Sequence, residues 1–516
     1  MREVARATRF RVRDDECETM SDIAIVGAGV SGLASALALV RNGNRVTVFE
    51  RDSLIDASDP HEAFEQDRKG APQIRHSHAF LARLRNQLRD LYPDVLQQLY
   101  DAGATDLRFD AGLPPALQDC ELEPTDDDLT MLACRRTTFE WVLRRAAEAQ
   151  GHVVVRGGVE VRGLTGTPRR VTGVRLADGT TEAFDLVVVG TGRRGGLPLW
   201  LEQLGAPPVP EVHDDSGIVY FSRYYRLRTG FELPPRIGPI GGDLGYLKYG
   251  VFPGDNGTFS ITLATASDDT EMRKLLDDEV RFDTTARALT FTAPYLDGRA
   301  EPISGVNKIA GLISRWRDYV VHGQPAAIGV FPVGDALLAT NPLYGRGCST
   351  GFWSAQLLAQ ALVDHPDDPA AAALAYHGQV QIHLKPWVMA TIRTDEDARR
   401  VAAAILAGVD PDGDPSDPKA FMRSVLRDGL RPALRSDIHV LRAFSRNFNL
   451  LTPADSLVND ADFGARVFAA WNERATRPPE PVLGPDRPEL IQTLAGVRSN
   501  ARPKPTRKPA IGAEEA

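Results

Sequence analysis

The chain has 516 residues, 43% hydrophobic and 25% charged, with a net charge of −9 and four cysteines. That length allows two or three folded units of ordinary globular composition, and the acidic surplus argues against nucleic acid as the main partner. Cys17, Cys120, Cys134 and Cys348 are too scattered for a zinc site or a redox dithiol, so no metal and free thiols in a reducing cytoplasm are expected.

Residues 1–19 are rich in Arg, Asp and Glu and lack the apolar stretch of a secretory signal. Residues 1–20 read as a disordered extension, or as an upstream start, because Met20 directly precedes the first strand. The run "IAIVGAGVSGLASALALV", Ile23 to Val40, carries no charge over 18 residues, the length of a membrane-span candidate. Its local chemistry points elsewhere. Ile23 to Val26 suits a buried strand. Gly27, Gly29 and Gly32 then form a GxGxxG pattern between that strand and a helix. Gly27 permits the tight turn, Gly29 lets a pyrophosphate approach the backbone, and Gly32 lets the helix pack on the strand. The helix N-terminus points N–H groups and a partial positive charge at the phosphates. Asn42-Gly43 ends the helix. The next strand, Arg45 to Phe49, delivers Glu50, placed to accept ribose hydroxyls. No transmembrane segment is expected.

A polar loop to about Pro72 leads into "HSHAFLARLRNQLRDLY", whose apolar residues repeat at helical spacing. "RTTFEWVLRRAAEAQG" is a further helix, and Val153 to Val155 a buried strand. "VTGVRLADGTTEAFDLVVVG" reads as two strands about an Asp178-Gly179 turn, the second entering the parallel sheet at Leu186 to Val189. From about Gly205 to Ser314, β-branched and aromatic runs between Gly, Pro and Asn turns predict an antiparallel sheet. It would line a substrate pocket, with Tyr220, Tyr224, Tyr225, Tyr246 and Tyr249 as candidates. Strand alternation would turn about half of any such set away. Residues 352–475 are mostly helical, and the Pro-rich end "RPKPTRKPAIGAEEA" suggests a flexible tail.

A second motif lies in "VFPVGDALLATNPLYGRGCSTGF", Val330 to Phe352. A strand delivers Gly334 and Asp335, the latter placed to accept hydroxyls of a polyol chain. Pro342 stiffens the following loop, and Gly345 and Gly347 let backbone approach a flat ring. The helix start near Cys348 and Ser349 can stabilise negative charge on that ring. A flavin has both a ribityl chain and a ring that is anionic when reduced.

With "GAGVSG", "VFER", "RRTTFEWVL", "DLVVVGTGRRG" and "GDALLATNPLYGRG" over residues 21–365, the chain resembles the FAD-dependent monooxygenases related to para-hydroxybenzoate hydroxylase. The resemblance implies an α/β fold. Together with the patterns above, it divides the chain into a Rossmann-like FAD-binding domain (21–204 and a return segment, 315–365), an inserted antiparallel β-sheet substrate domain (205–314), a helical C-terminal region (366–475) and, from composition, a flexible tail (476–516). It implies that Glu50, Arg51, Arg136, Asp335, Pro342, Gly345 and Gly347 serve the FAD, with Gly334 and Cys348 beside them. It also implies insertion of one oxygen atom from dioxygen into an apolar or aromatic small molecule through a C4a-(hydro)peroxyflavin. Where these hydroxylases carry Asp-Gly, this chain has Thr191-Gly192, so electrons could come from NAD(P)H or from a separate reductase partner. Related reductases, cyclases and halogenases share Ser or Thr there. Reduction of an isoprenoid- or polyketide-like substrate is the alternative chemistry, and a non-catalytic flavin sensor the alternative class. In "APQIRHSHAF", Arg75, His76 and His78 are the catalytic candidates. Two roles fit the histidines: moving a proton near their free pKa of about 6.5, or capping the helix and facing solvent.

Overall fold

The computed structural model describes residues 20–236, 241–413, 416–478 and 482–498. The flexibility expected of residues 1–19 and 499–516 falls outside the described residues.

Five parallel strands form the central sheet: β1 (Asp22–Val26), β2 (Arg45–Glu50), β3 (Val153–Gly157), β4 (Leu186–Val189) and β5 (Val330–Pro332). Their order is β5-β4-β1-β2-β3. Both faces are covered, as parallel sheets require. Along β1, Ile23 and Ile25 enter one apolar cluster, while Ala24 and Val26 enter the other. The apolar run that met the length of a membrane span continues into α1 (Val30–Arg41), buried at ten of its twelve positions between the sheet and α3 (Gly347–Asp364). Small residues make this close seat possible, because Ala and Gly let helix and sheet backbones approach. Among the described residues no helix is long and apolar enough to cross a membrane.

Helix α2 (Arg136–Glu148) precedes β3 and packs against α1. The inserted antiparallel sheet is centred on β6 (Ile218–Leu227), β7 (Leu247–Pro253) and β8 (Thr258–Ala266), with β8 between the other two. Its outer face carries Val219, Phe221, Tyr225, Phe259 and Ile261 into a separate core. Its inner face turns toward the parallel-sheet domain. A fully buried ion pair joins the two: Arg135 Nη2 lies 2.6 Å from Asp255 Oδ2, and the Arg135 backbone N–H donates to Oδ1 at 2.8 Å. Helices α4 (Pro369–His383) and α5 (Lys385–Leu406) continue from α3.

Residues 482–498 depart from the expected flexible tail. They contain α6 (Arg487–Ala495), started by an Asp486/Glu489 capping box. Leu490 and Leu494 are fully buried in the outer core of the inserted sheet. The Tyr246 and Tyr249 hydroxyls donate to the carbonyls of Pro485 and Leu483. Apolar burial at two successive turns outweighs the disorder that the Pro-rich composition suggested.

Candidate functional site

The first motif makes a tight strand–turn–helix junction. Gly27 has φ +106°, and a Cβ there would lie 2.6 Å from the carbonyl oxygen of Gly190. At Gly32 a Cβ would lie 1.9 Å from the Gly27 oxygen. These two glycines are packing requirements. Gly29 differs: the nearest atoms to its added Cβ are Arg136 Nη2 at 3.7 Å and Glu140 Oε1 at 3.8 Å. A methyl group would fit there, so the empty room over Gly29 is available to a ligand. Gly29 also gives α1 no side-chain cap, which leaves its first N–H groups free.

Glu50 stands at the end of β2, 5% exposed. Its Oε2 accepts the Ala28 N–H at 2.9 Å and pairs with Arg68, while Oε1 accepts the Asp52 N–H at 3.1 Å. Arg68 then bonds Glu140 at 2.7 Å, and Glu140 bonds Arg136 at 2.8 Å. Burial alone would raise the Glu140 pKa, but Arg136 and Arg68 outweigh it and hold the carboxyl below its ordinary value. Arg136 Nη1 donates to His78 Nε2 at 3.1 Å, and His78 Nδ1 donates to the His76 carbonyl at 2.8 Å. Opposite charges thus alternate from Glu50 to Arg136 along one side of the phosphate loop. Arg51 is exposed and lies beside Gly70, away from this chain.

The second motif closes the other side. Thr191 Oγ1 is buried with no hydrogen-bond partner, and Gly192 has φ +72° with open space about its Cβ position. Arg193 Nε pairs with Asp335 at 3.1 Å, its Nη2 donates to the Thr340 carbonyl at 3.0 Å, and its Nη1 is buried without a partner. Arg194 is exposed. Gly334 has φ +56° and donates its N–H to Ser354 Oγ at 3.0 Å. Pro342–Tyr344 form one helical turn that Asn341 caps, and Gly345 leaves it at φ +63°. Gly347 opens α3 with nothing within 4 Å of its Cβ position. Burial pushes the Cys348 thiol up to about 12, so it is a neutral wall.

The inner face of the inserted sheet meets this loop. Tyr220 donates to Asn341 Oδ1, and Asn341 Nδ2 donates to Asp395 of α5 at 2.8 Å. Ser222 Oγ lies 3.1 Å from His76 Nδ1, and the Tyr224 hydroxyl donates to the His76 carbonyl at 2.8 Å. Ser222, Thr262, Ser77 and Ser260 continue a hydroxyl chain at 2.7–2.8 Å. Tyr220 and Tyr224 therefore face the site. Tyr225, Tyr246 and Tyr249 lie in the outer core. The histidines do not titrate near their free value. Burial brings His76 down to about 4, while burial followed by the Arg136 charge drives His78 well below its ordinary range. Both are neutral hydrogen-bonding groups at pH 7. Arg75 turns away to the Glu65 carbonyl and the ring of Phe64.

Sequence reasoning missed Arg68, Asn341 and Asp395. Arg68 sits in a polar loop without periodicity, and Asp395 on a helix far downstream. Among the described residues no group of three or more His, Cys, Asp or Glu is placed to hold a metal.

The donors and spaces fit FAD. Room over Gly29 faces free helix N–H groups, and Glu50 Oε1 keeps an unfilled acceptor position. The partnerless Arg193 Nη1 belongs to the guanidinium that pairs with Asp335, and open space adjoins Gly347. The sequence model of the FAD dependent oxidoreductase family matches residues 22–116. Protein Rv3254 of Mycobacterium tuberculosis is 30% identical over 369 residues, which are 66% of this chain and 72% of that protein. The FAD-dependent monooxygenase SAT7 of Stachybotrys chartarum is 24% identical over 75% of this chain and 84% of its own. In fold, the chain is similar to p-nitrophenol 4-monooxygenase PnpA of Pseudomonas putida. The TM-score is 0.57 at 17% identity, over 84% of this chain and 99% of that one. The chain belongs to the FAD-dependent oxidoreductases and is an enzyme. Its similarity to FAD-dependent monooxygenases extends over most of its length.

Proposed function

We propose that the protein is an FAD-dependent monooxygenase that inserts one oxygen atom from dioxygen into an apolar or aromatic small molecule. The observation that carries this reading is a single junction. The loop Asn341–Gly347 adjoins the GxGxxG side through Asp335 and Arg193, and it is covered by the inner face of the inserted sheet through Tyr220. When bound, FAD supplies the redox chemistry. The side chains of this protein bind, orient and seal. Glu50 would accept ribose hydroxyls through Oε1, Arg136 would meet the pyrophosphate, and Asp335 would take the ribityl chain. The uncapped N–H groups at the start of α3 would favour negative charge on a ring held against this loop. Ile218, Tyr220, Ala264 and Leu312 form an apolar wall against Leu343. That wall keeps water from the substrate side. His76, tied to Ser222 and neutral at pH 7, positions the sheet against the loop.

Electron supply is the remaining term, because Thr191 stands where related hydroxylases carry Asp. The test therefore begins from chemically reduced, FAD-loaded protein. It is mixed with labelled dioxygen and candidate aromatic or polyketide-like substrates, and the products are weighed by mass spectrometry. Label in the product is expected. Saturation of a substrate double bond without oxygen, and no label with it, would move the protein to the reductases. Comparing reduction by NAD(P)H alone with reduction by an added reductase identifies the donor.

A further inference from the structure

The guanidiniums lining the cofactor side each have a carboxylate. Arg68 holds Glu50 and Glu140, Arg136 holds Glu140, and Arg193 holds Asp335. Among the described residues no carboxylate pairs with Arg346, which lies between Gly345 and Gly347 of the ring-facing loop. Its Nη1 donates to the Thr391 hydroxyl at 3.2 Å. Its Nε is buried without a partner. Its carbon lies 4.6 Å from the Trp387 ring centre and 4.9 Å from that of Tyr344. Two aromatic rings thus lie against the guanidinium and compensate its charge without taking its N–H groups. The nearby carboxylate of Asp395 is engaged elsewhere. It accepts from Asn341 Nδ2 at 2.8 Å and from the Tyr344 and Ser314 hydroxyls at 3.3 Å. Burial lowers the Arg346 pKa to about 10, outweighing the opposing pull of Tyr344 and Asp395.

Stacking compensates part of the desolvation of a cation. It does not satisfy N–H groups, and a buried unpaired donor is costly. Nη1 is taken by Thr391 and Nε is covered by protein, which leaves Nη2 as the donor for an anionic oxygen of a carboxylate or an ionised enol. We infer that Arg346 is a specificity-determining residue that binds an anionic oxygen group on the substrate, so that the enzyme selects organic acids or ionised enols over neutral molecules of the same shape. This inference rests on the monooxygenase reading and names the substrate class within it. The apolar wall of Ile218, Leu312 and Leu343 would take the body of such a molecule.

The test uses full-length, FAD-loaded protein and two probes of one shape, benzoate and benzamide, titrated while the flavin absorbance is recorded. Wild type should bind benzoate about tenfold or more tightly than benzamide, the scale of one charged hydrogen-bonded contact. Arg346→Gln should erase that preference and leave benzamide binding within about twofold. Arg346→Lys keeps the charge but not the fork, so part of the preference should remain, which also covers failure of the first variant to fold. Equal binding of both probes to wild type overturns the inference, as does no flavin perturbation by either. So does a preference that survives in Arg346→Gln. A variant that shifts the flavin midpoint potential but not the probe affinities also overturns it, because the charge would then serve the ring. Failure to load FAD would instead count against the proposed function. Oxygen insertion into neutral aromatics alone would sink only the present inference.

Discussion

Glu50→Gln separates a structural role for this carboxylate from a cofactor-binding one. A carboxylate offers about four acceptor positions. In the fold three are used: Oε2 by the Ala28 N–H and Arg68, and Oε1 by the Asp52 N–H. The fourth, on Oε1, is what remains for a ribose hydroxyl. The glutamine amide must put its NH2 group on one side or the other. Facing Arg68 it would oppose a buried cation, so it should turn toward Asp52 and replace the free acceptor by a donor. Arg68 keeps Glu140 at 2.7 Å and Asp52 at 3.8 Å, so the variant should still fold. The loss is one hydrogen bond to a charged acceptor, about 1.5–3 kcal/mol, or roughly 10- to 100-fold in FAD affinity. Quenching of flavin fluorescence on titration into deflavinated protein measures it. Adding Arg68→Met should cost less in the double variant than the sum of the single changes, because the two side chains touch. FAD affinity within twofold of wild type in Glu50→Gln would show that ribose contact is made elsewhere.

Gly29→Ala should leave thermal stability unchanged while weakening FAD binding, because its Cβ meets nothing closer than 3.7 Å in the fold. Gly32→Ala, whose Cβ would lie 1.9 Å from backbone, should lower the melting temperature before any cofactor is added; equal melting of the two variants would refute the distinction. His76 stands at about 4 in the fold against 6.5 ordinarily. The folded protein therefore binds fewer protons than the unfolded chain in that interval. Stability is whole above pH 6.5 and is lost as pH falls toward 4, by about 3 kcal/mol in all. His76→Asn should flatten the acid limb of stability between pH 7 and 4, and parallel curves for variant and wild type would contradict this.

The two glycine motifs were legible because their constraints are local. A strand, a turn, a helix start and an acid at the next strand end are neighbours in sequence. The alternation of Tyr224 and Tyr225 was legible as a rule, but which of them faces the cofactor depends on the seating of the sheet. The fold of residues 482–498 left a readable sign, the Asp486/Glu489 box ahead of Leu490 and Leu494. Composition outweighed it. Arg68, Asn341, Arg346 and Asp395 were hidden for another reason. Their meaning lies in partners 18 to 121 residues away, and no periodicity records such a pairing.

Adjacent residues Arg135 and Arg136 point into different halves of the molecule. The first is locked to Asp255 in the turn between β7 and β8, and the second reaches the room above Gly29. The cofactor half and the substrate half are therefore not interchangeable parts. A sheet transplanted from a relative without an acid at the position of Asp255 would strand a buried cation at the first residue before α2. The fault would surface as poor cofactor retention, far from the grafted piece. Recombination among such enzymes, in nature or in the laboratory, is thus confined to exchanges that carry this arginine and its aspartate together.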